Sequence, residues 1–156
     1  MKPSYLSFLL LVFALAGCTK RNSQLNYKNF KVLNVTLIAM PFSDSQGSAW
    51  DPFGGKPDVF FKIEGAASAV LYDGTGERRD DVSQSDLPLS WNFLKAYEID
   101  NLEATHFVTI YDYDPIGDND KIGHVGFTMN AHKSGYPRKI TKSDGGVTVS
   151  ITGEWY

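Results

Sequence analysis

The sequence predicts an all-β domain, an antiparallel sandwich, and three observations predict it. Apolar and polar residues alternate with a period of two in several short stretches, the mark of a half-buried strand. Clusters of Gly, Pro, Asp and Ser separate those stretches, and these are the residues that reverse a chain. No window carries a sustained helical stripe; Trp91 to Ile99 (WNFLKAYEI) is the one ambiguous segment.

The first residues stand apart from that pattern. Lys2 supplies a positive start, Tyr5 to Ala14 (YLSFLLLVFA) is almost wholly apolar, and Leu15-Ala16-Gly17-Cys18 follows. A transmembrane helix needs about 20 apolar residues, so the run is too short to span and reads as a signal peptide over residues 1–17. The LAGC tetrapeptide resembles the lipobox of bacterial lipoproteins, which implies that Cys18, the sole cysteine, carries acyl chains such as palmitate and holds the chain on a membrane. No aspartate directly follows Cys18, where Thr19-Lys20-Arg21-Asn22 stands, and in enterobacterial sorting that favours the outer membrane of the cell envelope. Residues 18–28, the lipidated cysteine and a polar stretch without periodicity, read as a flexible tether, and residues 29–156 as one domain.

Within the domain, Lys31 to Met40 (KVLNVTLIAM) sets Leu33, Val35, Leu37 and Ala39 on one face and Asn34 and Thr36 on the other. Asp58 to Ile63 and Ala69 to Tyr72 are short candidates. His106 to Tyr111 (HFVTIY) is apolar on both faces, as a central strand is, and Ile122 to Met129 follows. In Gly146 to Trp155, Val147, Val149 and Ile151 alternate with Thr148, Ser150 and Thr152.

The chemistry concentrates in IYDYDPIGDNDKIG, Ile110 to Gly123, where Asp112, Asp114, Asp118 and Asp120 crowd one turn. Like charges a few ångströms apart cost about 1 kcal/mol per pair even in water. Either the turn is well solvated or a cation sits in it. Residues i and i+2 of an extended segment share a side, so Asp112 and Asp114 point together from the end of a strand. Convergent carboxylates suit calcium, a hard ion that takes six to eight oxygens; zinc prefers nitrogen and sulfur, and His106, His124 and His132 lack paired-ligand spacing. An EF-hand fails, because Ile116 stands at its fifth position and Gly123 where its bidentate glutamate belongs.

The stretch VTIYDYDPIGDNDKIG resembles the third calcium loop of C2 domains: apolar strand, D-x-D, five residues, D, then an apolar residue and glycine. Upstream, GKPDVFFKI (Gly55 to Ile63) is similar to the family's loop 1 exit, Leu33 to Ala39 to its opening strand, and Pro88-Leu89-Ser90-Trp91-Asn92 to its segment near loop 2. The resemblance implies an eight-stranded sandwich and a calcium site of Asp58, Asp112, Asp114 and Asp120. Asp51 is a further ligand by position, one residue earlier than the family's usual spacing, where Pro52 stands. Asp118 and the pair Asp80-Asp81 read as solvated turns. Trp50, Phe53 and Ile116 fall within the same loops and leave two readings open: apolar tips for a membrane interface or protein partner, or a small loop core against Pro52 and Pro115.

The formal net charge of −3 and the absence of any long basic cluster argue against nucleic acid. The chain lacks Gly-x-Ser-x-Gly, a phosphate-cradling glycine loop and a metal-binding histidine pair, so the expectation is a non-enzyme. The expected function is a calcium-binding module on a lipid-anchored protein, taking phospholipid or a protein or glycan partner through its calcium loops. The alternatives are an envelope or adhesion domain in which calcium merely clips the loops, and an envelope enzyme or its accessory. If the first strand feeds loop 1, its start, and so the tether, lies at the end of the sandwich away from the calcium loops.

Overall fold

The computed structural model describes residues 26–51 and 55–156, so Cys18, the leader and Phe53 lie outside the described residues. Eight strands follow in order: β1 (Phe30–Ala39), β2 (Val59–Glu64), β3 (Val70–Asp73), β4 (Leu89–Ile99), β5 (His106–Asp112), β6 (Asp120–Phe127), β7 (Lys139–Asp144) and β8 (Val147–Trp155). They form two four-stranded sheets, β4-β1-β8-β7 and β3-β2-β5-β6, with every pairing antiparallel. The fold is the eight-stranded antiparallel β-sandwich expected.

The inner faces meet in one core. Val35, Leu37, Val149 and Ile151 come from one sheet and Val59, Phe61, Ile63, Val108 and Ile110 from the other, all buried. Trp91 closes the core near the start of β4; its indole N–H donates to the Glu77 carbonyl at 2.8 Å and its ring lies 5.2 Å from that of Phe61. Alternation in β1 shifts phase midway, which corrects the sequence reading of that strand. Phe30 and Val32 are buried, then Val35 and Leu37, whereas Leu33 is only half-buried. The register explains it: Val32 pairs with Gly153 and Asn34 with Thr152, so Leu33 is an extra residue that bulges out of the ladder. Across the other neighbour, Val32 pairs with Tyr97 and Asn34 with Asn92, so four residues, Phe93–Ala96, stand opposite Leu33. That large bulge is why WNFLKAYEI shows no clean period.

The bulge also fixes Gly153. A Cβ there would come within 2.2 Å of the Lys31 carbonyl oxygen and 2.5 Å of the Phe30 ring, so only glycine lets β1 and β8 approach this closely. At that end of the sandwich the chain enters: the N–H groups of Lys28 and Asn29 both donate to the Tyr156 carbonyl at 3.1 Å. Tyr27, Tyr136 and Trp155 pack edge to face there, with ring centroids 5.0 and 5.1 Å apart. The opposite pole gathers the end of β1, the start of β2, the end of β5 and the start of β6, and the acidic loops lie on it. No helix among the described residues is long and apolar enough to cross a membrane.

Candidate functional site

The acidic pole is built outward from the β2–β5 pairing. Val59 is the register partner of Asp112, which brings the residue just before β2, Asp58, alongside the end of β5. Two hydrogen bonds lock them: the Tyr113 N–H donates to the Asp58 carbonyl at 2.9 Å, and the Asp58 N–H donates to Asp112 Oδ1 at 2.6 Å. A third segment closes on the same place. Val59 and Arg79 exchange backbone hydrogen bonds at 2.8 Å each, and the Val82 N–H reaches the Pro57 carbonyl at 2.9 Å. The turn this imposes puts Asp81 at a positive φ of 53° and directs its N–H onto Asp58 Oδ1 at 2.8 Å.

Asp112 is the centre of the arrangement. It is 0% exposed, and its Oδ2 has no hydrogen-bond partner. Burial pushes its carboxyl up to about 6, against the pull of the Asp58 N–H, and the charges of Asp51, Asp114 and Asp58 push it further the same way. Asp51 is raised as well, by burial first and then by Asp58, Asp114 and Asp81. Asp51, Asp58, Asp81, Asp112 and Asp114 therefore share one electrostatic neighbourhood. Among the described residues, no ion pair reaches any of them; the three that form join Lys62 to Asp73, Arg78 to Asp80 and Lys133 to Glu103. The nearby Arg78 guanidinium is taken by Asp80 at 2.7 Å and lies 4.5 Å from the Tyr113 ring centroid.

The β5–β6 loop supplies the remaining acids. The Asp114 N–H donates to Asn119 Oδ1 at 3.0 Å, and Gly117 reverses the chain at φ 105°. Asp120 opens β6 opposite Asp112 and is exposed, as is Asp118. Ile122 is buried, and Gly123 follows because a Cβ there would lie 2.7 Å from Val147 Cγ2 across the sandwich. Among the described residues, no three Asp, Glu, His or Cys side chains are gathered tightly enough to hold a metal ion as they stand. The donor set itself suits a hard cation: it is all carboxylate, and one of its oxygens is buried without a donor.

The apolar loop residues divide. Trp50 is half-buried, packs on the core and donates its indole N–H to the Pro41 carbonyl at 2.9 Å, which makes it part of a loop core. Ile116 is 92% exposed at the tip of the β5–β6 loop. Asp81 is the residue sequence reasoning set aside. Its place depends on the long-range pairing of Arg79 with Val59, which no local pattern announces; the doubled acid Asp80-Asp81 was the only signal.

No family model matches the chain, and no curated protein matches its sequence. Solved structures similar to it in fold include a C2 domain, with a TM-score of 0.47 and 11% identity over 81% of this chain and 96% of the other. Human GIVD cytosolic phospholipase A2 is similar with a TM-score of 0.47 and 15% identity; 84% of this chain is covered, but only 17% of the phospholipase. A C2 domain protein from Ramazzottius varieornatus has a TM-score of 0.40 and 15% identity, covering 82% of this chain and 89% of its own.

Proposed function

We propose that the acidic pole is a calcium-dependent binding surface on a domain held to a bacterial envelope membrane through a lipidated Cys18. The observation that carries the proposal is Asp112 Oδ2, buried, without a donor, and flanked by carboxylates that no cation pairs. Burying a carboxylate under those conditions is costly, and either a proton or a cation must offset it. Asp51, Asp58, Asp112 and Asp114 would hold the ion, with Asp120 and Asp81 at the rim. What calcium supplies there is positive charge, which lets the loops close around carboxylates that otherwise repel. The function is binding rather than catalysis, and Ile116 at the tip is the first side chain an incoming phospholipid surface, protein or glycan meets.

Entry of the described chain at the far pole supports a surface presented away from the anchoring bilayer, toward a partner across the envelope. Melting the purified full chain in calcium and in chelator tests the site. Extracellular calcium modules bind at roughly 0.1–1 mM, so calcium at about ten times that level should add about 1.4 kcal/mol and several degrees of Tm. Asp58→Asn and Asp114→Asn keep the backbone contacts and should lose the rise; a rise of equal size in both variants rejects the site. Sedimentation with anionic vesicles then separates partners: recovery that needs calcium supports a lipid surface, and equal recovery in chelator leaves a protein or glycan.

A further inference from the structure

We infer a second, calcium-independent site on the outer face of the β3-β2-β5-β6 sheet, which takes a neutral carbohydrate ring and is built around Glu64. Strand alternation places Phe60, Lys62 and Glu64 of β2 and Phe107, Thr109 and Tyr111 of β5 on that face, away from the core. An outward-facing glutamate normally lies in water. Glu64 is instead 6% exposed, at the edge of a groove of about 280 Å³ that Phe107, Thr109, Lys121 and His124 also line.

The carboxylate is held in place rather than paired. The Tyr111 hydroxyl donates to Oε1 at 2.9 Å and the Thr109 hydroxyl donates to Oε2. An ionised carboxylate accepts about four hydrogen bonds, so two acceptor positions remain after these. Among the described residues no ion pair reaches Glu64: Lys62, on the same face, lies 3.3 Å from Asp73 and 5.4 Å from the Tyr111 ring centroid. One rim of the groove carries Ala67 and Ser68, both left-handed at φ 56° and 58° without being glycine. Strain of that kind tends to collect where a chain is shaped for a ligand.

The charge pattern disfavours a ligand that carries only one sign of charge. An anion would meet Glu64, and a cation would meet Lys121, with Lys62 close by. A neutral molecule rich in hydroxyls satisfies both ends, giving donors to Glu64 and acceptors to Lys121 and His124. The Phe107 ring, 5.4 Å from the His124 ring and at 77° to it, offers an apolar wall for the C–H face of a pyranose. The volume is close to the lower limit for small-ligand pockets, about 300 Å³, which suits one sugar ring and not a large cofactor.

Saturation-transfer NMR on the full chain in chelator is the test, with methyl glucoside, methyl galactoside, methyl mannoside and N-acetylglucosamine as probes, and n-butylammonium and inorganic phosphate as charged comparators. At least one sugar should bind in the millimolar range and shift the Phe107 and His124 ring protons. Glu64→Gln should weaken it at least tenfold. Should Glu64→Gln disturb the sheet, the exposed Lys121→Ala and the mild Phe107→Leu carry the same test, each with a several-fold loss. Binding by no sugar, binding by a comparator instead, or sugar binding unchanged in these variants overturns the inference. The chelator keeps its failure separate from failure of the calcium site.

Discussion

At Asp112, desolvation and three neighbouring carboxylates act against ionisation, and a single N–H acts for it. Removing the charge while keeping the shape should therefore help the calcium-free fold. Asp112→Asn retains an oxygen for the Asp58 N–H, so in chelator near neutral pH its Tm should rise by several degrees, a gain of roughly 1–3 kcal/mol. The same variant should gain nothing from calcium. A lower Tm in chelator would mean that the native carboxylate is already compensated and would remove the main support for the ion. Asp44→Asn is the contrast, since its Oδ1 accepts the N–H groups of Gln46 and Ser48 at 2.8 Å and the acid only shapes a turn. At this scale Asp112 and Asp114 were legible as a pair because i and i+2 spacing is a local rule, whereas Asp58 entered only through the resemblance of its loop, since it meets Asp112 across 54 residues. Asp81 and the inward turn of Trp50 were not legible, because each is set by contacts with distant segments.

Strands with one buried face announce themselves by alternation, and β8 and the second half of β1 did so. Two elements hid for opposite reasons. In β7, Lys139–Asp144, Ile140 is the only buried residue, because an outermost strand with a solvated face needs little apolar surface. In β4, the four-residue bulge opposite Leu33 breaks the period although Trp91 and Ile99 are buried at its ends. The bulge and Gly153 belong together, and a substitution can show it. Gly153→Ala forces a Cβ against a backbone carbonyl and should cost at least about 2 kcal/mol, read as a fall in Tm approaching ten degrees. Gly76→Ala, where a Cβ meets nothing within 4 Å, should change Tm by no more than a degree or two. Equal effects would show that β1 and β8 can part at little cost.

For the whole molecule, stability against pH includes opposed contributions from the two poles. His106, at the end away from the acids, is held below the usual imidazole range by burial, against the Ala104 carbonyl and Asp100, which pull it up. It stacks on Phe127 at 5.7 Å and faces Tyr97. Its stabilisation is present above about 6.5, the unfolded value, and is lost as pH falls through the lower folded value. Asp112 runs the other way, since its raised carboxyl favours the fold in acid and that contribution is lost as pH rises through about 6. His106→Gln isolates one of the two: the Tm advantage of the wild type over the variant should shrink between neutral pH and about pH 5, and a constant difference would contradict the assignment. The bulged outer strand has a consequence at this scale too. Leu94, 102% exposed, stands in the insertion opposite Leu33 that interrupts the ladder of β4, an outermost strand, and an interrupted ladder is a poor template for a strand from a second molecule. That edge is thereby blunted against edge-to-edge stacking into fibres.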